Sequence, residues 1–375
     1  MKFNISKQRL EFAVEKTSKA IDGNPFLPQL KGIMIEAMDT KITFITSNHE
    51  ISVLHKVLTV GNSNETLNST GCEIVESGSA LIPFSLFRNI IKKLDGVISI
   101  ETKGSILEIK SNQDKFEMNI LDASDYPDID FTKIGDKVTV PFEILRKISK
   151  NVAFAASQDP GQLILNCVNI SNANGSLKAV ATDKFRLALE KDEIEDGTSF
   201  DISILAKSIK DILNFDLKGD VDLYISESKI QIYDDNTIIQ AKLINIPFID
   251  TTRVIPKDFQ QKLIINRKVL SDMISKVNIV NTDSNSKIMI LIENNLLTIK
   301  GNKDEVGSAT VQTTDFEYND EGLIISFATR NVLDALSVFE GELYIMFSDN
   351  KQRVLILSPE NTNTIQLITP MKGYY

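Results

Sequence analysis

The sequence predicts an α+β fold made of three similar domains, and three observations support this prediction. Short segments that alternate apolar and polar residues, such as "KITFIT", are typical of antiparallel strands. A strand-then-helix pattern recurs three times, and connectors containing Pro and Asp separate the copies. A length of 375 residues is also more than one ordinary domain needs.

The first repeated pattern is a short alternating strand that runs into an amphipathic helix. It appears as "MKFNISKQRLEFAVEKTSKAI" from Met1, "DKVTVPFEILRKISKNVAFAAS" from Asp136 and "QKLIINRKVLSDMISKVNIV" from Gln261. Leu10, Leu145 and Leu270 occupy equivalent places, separated by 135 and 125 residues. The regular spacing indicates that one structural unit has been used three times.

A second pattern follows in each copy: a strand, a helix, a glycine and another alternating strand. The glycines are Gly96, Gly219 and Gly341, and glycine is the usual residue just after a helix. We predict that Leu94, Leu213 and Leu336 correspond. Connectors at 121–130 and 243–252 complete the pattern, and the predicted domains are 1–125, 126–250 and 251–375.

Positive charge is concentrated in the six predicted helices. These are 6–21, 84–95, 142–157, 203–215, 266–278 and 328–339. They hold 16 basic and 7 acidic residues, whereas the whole chain has a net charge of −10. In the second helix we expect Leu86, Phe87, Ile90 and Leu94 to face the core, with Arg88 and Lys92 pointing away.

This charge distribution favours one cationic surface on an otherwise acidic protein, which suits a polyanion such as DNA. A solvated charged face is the alternative for any single helix, but such a face usually mixes signs. No zinc-finger or helix-turn-helix pattern occurs, so the predicted binding is independent of base sequence.

Composition excludes several other classes of protein. No run of about 18 apolar residues occurs, and the amino-terminal segment lacks a signal peptide's apolar region, so we expect a cytoplasmic protein without a membrane partner. Cys72 and Cys167 are too few and too far apart for a disulfide framework or a metal cluster. No metal site or cofactor is expected.

The stretch "VATDKFRLAL" at 180–189 allows three interpretations. Asp183 with Lys184 or Arg186 could form an enzyme site, but no nucleophile, phosphate-loop or metal-ligand motif accompanies them. The two histidines, His49 and His55, lie six residues apart on one predicted strand, and this strand is far from the stretch 180–189 in the sequence. A turn capped by Asp183 is the second interpretation. A docking surface is the third. A protein-only solenoid scaffold is disfavoured because solenoid repeats are much shorter.

Several motifs together give the chain a close resemblance to the bacterial sliding clamp family, the beta subunit of DNA polymerase III. They are "MKFNISKQRL", "NPFLPQLKGIMIE", "DASDYPDID", "LILNCV", "ATDKFRLAL", "DTTRVIP" and "TIQLITPMKGYY", which span the whole chain in order. The resemblance implies a non-catalytic processivity factor in which two chains close head-to-tail into a ring around double-stranded DNA. Implied partners are the replicative polymerase alpha-type subunit, the clamp loader and other proteins with clamp-binding motifs.

The resemblance also assigns sites. A partner-peptide pocket between domains 2 and 3 would be formed by Leu165, Thr182, Phe185, Arg186, Leu187, Arg253, Val254, Leu367, Thr369, Pro370 and Met371. The homodimer interface would join Phe116 and Met118 of one chain to Ile279 and Val280 of the other. The helix charges, with one loop position taken from the resemblance, give the DNA-facing set Arg9, Lys16, Lys19, Asn24, Arg88, Lys92, Arg146, Lys147, Lys150, Lys207, Lys210 and Lys268.

The chain departs from the family pattern at several of these places. Phe185 stands where the family commonly has His, Lys184 replaces a small residue, and Ile249 and Thr369 are also unusual. These departures bear on which peptide the pocket prefers. Asn24 and Gln162 stand where DNA-contacting Arg is frequent, which predicts weaker loop contacts to DNA.

Overall fold

The computed structural model describes residues 1–59, 71–256, 258–280, 286–303, 306–349 and 351–371. These residues form two compact units. The first unit combines Met1–Phe142 with Lys207–Leu243, and the second combines Glu143–Ala206 with the chain from Ile244 onwards. The predicted central domain, 126–250, is therefore divided between the two units. The three predicted domain boundaries remain a prediction.

The first unit contains two antiparallel sheets. Numbered along the whole chain, its strands are β1 (Lys2–Ser6), β2 (Gly32–Met38), β3 (Lys41–Ser47), β4 (Ile51–Leu58), β5 (Cys72–Glu76), β6 (Gly78–Pro83), β7 (Val97–Lys103), β8 (Ile106–Ser111), β9 (Asp114–Asn119), β10 (Asp136–Pro141), β15 (Asp220–Ile225), β16 (Lys229–Asp234) and β17 (Thr237–Lys242). One sheet has the order β5-β1-β7-β8-β9, and the other has the order β10-β15-β16-β17-β4-β3-β2-β6.

The second unit also contains two antiparallel sheets. Its strands are β11 (Cys167–Ala173), β12 (Ser176–Thr182), β13 (Arg186–Glu193), β14 (Phe200–Leu205), β18 (Gln261–Asn266), β19 (Lys287–Glu293), β20 (Leu296–Lys303), β21 (Gly307–Thr313), β22 (Glu317–Tyr318), β23 (Leu323–Ala328), β24 (Glu342–Phe347), β25 (Val354–Ser358) and β26 (Asn361–Ile368). The sheet orders are β14-β11-β12-β13-β26-β25-β24-β18-β22 and β21-β20-β19-β23.

Six α-helices lie within the described residues, one in each of the six predicted helical segments. They are α1 (Lys7–Thr17), α2 (Phe84–Ile91), α3 (Phe142–Asn151), α4 (Ala206–Leu213), α5 (Arg267–Val277) and α6 (Thr329–Leu336). The observed helices are shorter than predicted because short 3-10 turns replace the ends of α1, α3 and α5. None of the described helices has the length and apolar character that crossing a bilayer requires.

A repeated hydrogen bond confirms the threefold pattern. The carbonyl of Gly96 accepts a bond from the Lys7 amide at 2.8 Å, and Gly219 and Phe142 repeat it at 2.9 Å. Gly341 repeats it with the Arg267 amide at 2.8 Å. All three glycines have φ between 64° and 74°, which glycine adopts without a steric penalty. Each glycine thus accepts a hydrogen bond from the first amide of α1, α3 or α5, which has no partner within its own helix, and directly precedes the next strand.

The predicted equivalence of leucines is correct for the first helix of each repeat (α1, α3 and α5) and partly wrong for the second helix (α2, α4 and α6). Leu10, Leu145 and Leu270 are all buried at the fourth position of their helices. Burying each contributes about 1.5–3 kcal/mol. In α2, however, the equivalent of Leu213 and Leu336 is Ile91, since α2 ends there and Leu94 lies beyond it.

The expected core face of α2 is also partly wrong. Leu86 is 50% exposed, whereas Phe84, Phe87 and Ile91 are buried. These three residues follow the i, i+3, i+7 spacing of one helix face, and Leu86 lies off that face. The stripe that packs into the core is therefore set by the phenylalanines.

Each unit is held by apolar clusters. In the first unit, Phe3, Phe44 and Phe87 are fully buried in one cluster that includes residues of α1, α2 and both sheets. In the second unit, the main cluster gathers residues of α5 and α6 with strands of both sheets. A smaller cluster contains Val180, Leu187, Leu189, Leu355 and Leu367. It lies where β13 pairs with β26, and it supports the candidate site described next.

Candidate functional site

The second unit contains a groove of about 830 Å³. Four chain segments meet around it: the loop after α3, the turn between β12 and β13, the start of α6 and the residues after β26. The groove is lined by Ala156, Ser157, Gln158, Asp159, Gln162, Asp183, Phe185, Arg186, Ala328, Arg330, Asn331, Thr369, Pro370 and Met371.

The turn between β12 and β13 is stabilised by Asp183. One carboxylate oxygen, Oδ1, accepts hydrogen bonds from the backbone amides of Phe185 at 2.9 Å and Arg186 at 3.0 Å. Thr182 Oγ1 accepts the amide of Lys184 at 3.1 Å and donates to the Arg186 carbonyl at 2.6 Å. The capped-turn interpretation is therefore correct, and the same turn also lines the groove. The interpretation as a capped turn and the interpretation as a docking surface are therefore compatible with each other.

Arg186 ties this turn to α6. Its Nε lies 2.9 Å from Asp183 Oδ2, and its Nη1 lies 2.6 Å from Asp334 Oδ2. The guanidinium also lies 5.5 Å from the centre of the Phe154 ring. Only 8% of the residue is exposed, so the side chain acts as a rigid internal support rather than a mobile surface charge.

Phe185 has a fixed backbone and a free side chain. Its carbonyl accepts hydrogen bonds from both the amide and the hydroxyl of Thr369, each at 2.9 Å. The carboxyl-terminal segment is held again where the Met371 amide donates to the Ser326 carbonyl at 2.8 Å. The ring of Phe185 is nonetheless exposed, at 66% for the residue. An apolar ring on a rigid backbone is well suited to contact an apolar ligand.

The eleven predicted pocket residues divide into three groups. Five of them line the groove: Phe185, Arg186, Thr369, Pro370 and Met371. Four others do not line it and are almost fully buried: Leu165, Thr182, Leu187 and Leu367. The expectation that these four form the pocket walls is not met by the groove: Leu187 and Leu367 face each other where β13 pairs with β26 and lie in the small cluster, and Thr182 is held inside the turn by its hydrogen bonds to Lys184 and Arg186.

The last two predicted pocket residues lie in the segment after Asp250. Val254 packs partly buried against the small apolar cluster. Arg253 is exposed, and its carbonyl accepts a hydrogen bond from Arg353 Nη1 at 3.3 Å. Neither lines the groove.

Sequence reasoning missed the loop after α3 and the start of α6. Gln162, which the sequence marks only as a loop position with weaker expected DNA contacts, lines the groove and donates to Asp159 Oδ2 at 2.8 Å. The segment "SQDPG" carried a turn signal, and Asp159 Oδ1 does cap the Gly161 amide at 2.9 Å. No sequence signal relates this turn to α6, which lies more than 160 residues later.

The predicted DNA-facing residues are of three kinds. Lys92, Lys150, Lys207, Lys210 and Lys268 are exposed, as is Asn24. Four others are paired with carboxylates: Lys16 with Asp234, Arg88 with Glu15, Arg146 with Glu143 and Lys147 with Asp192. Arg9 and Lys19 donate to the carbonyls of Leu58 and Asn214. A carbonyl does not cancel a positive charge, so the charge available to a ligand comes mainly from the five exposed lysines together with Arg9, which is also exposed, and Lys19.

The predicted dimer residues also differ in exposure. Phe116 on the edge strand β9 is 37% exposed, and Ile279 is 74% exposed. Val280 is half-buried. Met118 is 5% exposed and belongs to the core of its own unit, so its assignment to an interface is not supported by its burial.

The enzyme interpretation of the Asp183 turn is disfavoured by its contacts. Both carboxylate oxygens of Asp183 already accept hydrogen bonds within the turn or from Arg186. His55 Nδ1 is hydrogen-bonded to Thr237 Oγ1 at 2.9 Å, and burial with the nearby Lys16 lowers the pKa of His55 to about 4. His49 precedes β4 with φ of 81°, so the expectation that both histidines share a strand is wrong. Within the described residues, no cluster of His, Cys, Asp or Glu could hold a metal ion.

The fold and the groove define a class of protein: a triply repeated α+β protein with an open groove that exposes an aromatic ring. Comparison with known proteins then gives the family. Three consecutive stretches match the N-terminal, central and C-terminal domains of the DNA polymerase III beta subunit, over residues 1–130, 139–250 and 252–372. The chain belongs to this family of beta sliding clamps, non-catalytic processivity subunits of DNA polymerase III.

Relatives match over the full length. The beta sliding clamp of Mycoplasmopsis pulmonis is 32% identical and that of Bacillus subtilis 28%, each with 100% of both chains covered. Among solved structures, the DNA polymerase sliding clamp from Bacillus subtilis superposes with a TM-score of 0.86, at 28% identity and 100% coverage of both chains. The expected fold of three clamp domains is thereby confirmed.

Proposed function

We propose that two copies of this chain close head-to-tail into a ring around double-stranded DNA in the cytoplasm. The exposed lysines support phosphate contacts that are independent of base sequence, while the net charge of −10 would repel DNA from the remaining surface. Such a ring holds DNA by topology. It keeps a bound polymerase at high effective concentration near the primer end without gripping the duplex.

We infer further that the groove of the second unit binds short peptide segments of the replicative polymerase alpha-type subunit, the clamp loader and other partners. The observation that carries this proposal is the exposed Phe185 ring on a pinned backbone, beside Pro370 and Met371 in a groove of about 830 Å³. Apolar grooves with a few fixed polar groups are the usual receptors for peptide anchors.

Retention on DNA tests the ring. After loading onto nicked circular DNA, the protein should remain bound during gel filtration and should be lost once the circle is cut. Equal retention on circular and linear DNA would contradict topological binding. Equal loss from both would contradict a closed ring.

Paired substitutions test the groove. Phe185→Ala combined with Met371→Ala should abolish binding of a labelled peptide from the polymerase tail, while the sedimentation mass stays unchanged. Both side chains are exposed, whereas Leu367 is buried and its substitution would probe folding instead. Unchanged peptide affinity in the double variant would exclude this groove as the receptor.

A further inference from the structure

We propose that a polar cavity in the first unit binds a peptide segment through a basic side chain. The cavity has a volume of about 470 Å³ and lies between the turn that joins β3 to β4, the end of β17 and the connector that precedes β10. This volume is within the range of about 300–1,000 Å³ that is usual for ligand sites. The proposal goes beyond the function proposed above, because it concerns a different unit and a different ligand chemistry.

The turn at this cavity is built like the turn at the groove of the second unit. Asn48 Oδ1 accepts hydrogen bonds from the amides of Glu50 at 3.1 Å and Ile51 at 2.8 Å. Asp183 Oδ1 accepts in the same way from the amides two and three positions after it. His49 has a φ of 81°, in the same left-handed region as its equivalent in the groove turn. One turn design has therefore been used in both units.

The strand pairing beside the turn is repeated as well. The carbonyl of Glu50 accepts the Lys242 amide at 3.0 Å, just as the carbonyl of Phe185 accepts the Thr369 amide at 2.9 Å. Glu50 therefore occupies the position that Phe185 has in the groove. A carboxylate in place of an exposed aromatic ring indicates a ligand of different chemistry.

The sheet face at the cavity is polar, whereas the equivalent face of the second unit is apolar. In each unit, four neighbouring strands place one side chain each in a row. In the second unit this row is Met346, Leu355, Leu367 and Leu187. In the first unit the equivalent row is Tyr224, Gln231, Gln240 and Ser52, of which the last two line the cavity. Such a row does not suit an apolar anchor, because covering polar groups without giving them partners is unfavourable.

Gln240 provides hydrogen-bond donors at the cavity. Its Oε1 accepts from Gln231 Nε2 at 2.7 Å, which fixes the orientation of the amide. Its own amide nitrogen has no acceptor among the residues that the structure describes. A side-chain amide carries two N–H donors, so a carbonyl of a ligand can accept a hydrogen bond here.

Three carboxylates and two ammonium groups line the cavity. One pair is satisfied internally, since Lys229 Nζ donates to the Asp130 carbonyl at 2.6 Å and to its carboxylate at 3.2 Å. Glu50, Asp128 and Lys242 remain, and none of them forms an ion pair within the described part of the chain. Two carboxylates against one ammonium leave a net negative charge, which favours a cationic ligand.

The same sheet face already holds a second ammonium group of the chain itself. The Lys133 ammonium lies 3.8 Å from the centre of the Tyr224 ring and 4.8 Å from the centre of the Tyr233 ring. Tyr224 belongs to the polar row, and the Tyr233 hydroxyl lies 3.5 Å from Gln231 Oε1. Because aromatic faces attract cations, this part of the sheet binds the kind of group that the cavity is proposed to accept.

An arginine in an extended peptide meets all of these requirements. Its guanidinium has five N–H donors for the carboxylates of Glu50 and Asp128. Its neighbouring backbone carbonyl can accept from Gln240. The aliphatic part of the side chain can pack against Ile129 and Ile134, which line the cavity from the connector.

Pairs of labelled nonapeptides test the proposal. Each pair has the same varied neighbours around a central arginine in one member and around citrulline, a neutral isostere, in the other. Fluorescence anisotropy with the full chain should give the best arginine peptides about four-fold or more higher affinity than their citrulline partners, because each of two exposed ion pairs contributes about two- to five-fold. Equal binding within every pair, or no binding at all, would overturn the proposal.

Variants locate the binding. Glu50→Gln combined with Asp128→Asn should remove the preference for arginine, and Lys242→Gln should increase it about two-fold, since a competing ammonium is lost. Gln240→Leu should weaken both members of a pair. Asp39→Asn removes an exposed carboxylate at the other end of β3 and should leave the ratio unchanged. A preference that survives the double carboxylate variant would refute the assignment to this cavity.

The cavity and the groove are tested separately. Phe185→Ala combined with Met371→Ala should leave binding of the arginine peptides unchanged. If that variant loses the arginine peptides, they bind in the groove and the proposed role of the cavity is wrong. If arginine peptides fail to bind the unmodified protein while the polymerase tail peptide binds, the cavity proposal fails and the proposed function of the groove stands.

Discussion

Replacing Arg186 with glutamine should destabilise the second unit by about 2 kcal/mol. The change removes two charge-assisted hydrogen bonds, to Asp183 and Asp334, and bonds of this kind contribute about 1.5–3 kcal/mol each. The sum is reduced because neither carboxylate is left isolated. Asp183 keeps its two backbone amides, and the Asp334 side chain is 31% exposed and lies near Arg330.

The size of this loss in the free energy of unfolding shows whether Arg186 belongs to a fully buried ion pair or to one whose carboxylates are partly exposed. Removing one partner of a fully buried ion pair usually costs about 3–5 kcal/mol, because the remaining charge loses all compensation. The partial exposure of both carboxylates predicts the smaller value. A double-mutant cycle with Asp334→Asn would isolate the coupling between the two side chains.

Urea unfolding followed by far-ultraviolet circular dichroism is the appropriate assay, since the chain contains no tryptophan. The free energy of unfolding is taken from the transition of the second unit, with Lys300→Gln as a surface control. A loss below about 0.5 kcal/mol would refute the supporting role of Arg186, since surface substitutions produce changes of that size. A loss above about 4 kcal/mol would mean that a carboxylate is left uncompensated, against the contacts described.

Three further perturbations test other parts of the molecule. Phe116→Asp should give monomers in sedimentation, whereas Val75→Asp, on the opposite edge of the same sheet, should not; dimers that persist in the first variant would refute the proposed interface. Gly135→Ala should cost about 4 kcal/mol or more, because φ is 97° and an added Cβ would lie 2.0 Å from the Ile225 carbonyl oxygen. Gly104→Ala, with φ of 61° and no atom within 4 Å, should cost only about 1 kcal/mol, so equal losses would contradict the steric explanation. Burial lowers the pKa of His55 from 6.5 to about 4, so the folded state has stability above pH 6.5 that is lost as the pH falls towards 4. In His55→Asn the urea midpoint of the first unit should therefore fall less steeply with decreasing pH. If the two proteins show the same dependence on pH, His55 does not contribute.

The helices and the threefold repeat were predictable because their signals are local. The spacing of Leu10, Leu145 and Leu270 reflects the same helix position in three copies, and amphipathic periodicity needs no knowledge of the partner surface. Gly96 and its two equivalents were recognisable for the same reason, since a left-handed residue near a helix end is a local requirement.

The groove was only partly predictable because its shape depends on distant segments. Phe185 and Met371 could be assigned by resemblance, but the exposure of their neighbours depends on how β13 pairs with β26. Leu187 and Leu367 face each other in that pairing, and this register turns them inward. Likewise, Phe116 and Met118 lie two residues apart on β9 and therefore on the same face of the sheet, and the sequence does not indicate that Met118 is buried there while Phe116 stays 37% exposed.

The pairing of β17 with β4, and of β13 with β26, has a consequence for the middle third of the chain. Expressed alone, the segment 126–250 would expose Thr237–Lys242 and Arg186–Glu193 as uncovered sheet edges, each with a full row of unpaired amides and carbonyls. Such edges recruit strands from other molecules and promote aggregation. The middle third therefore depends on the strands of its neighbours for solubility as well as for structure.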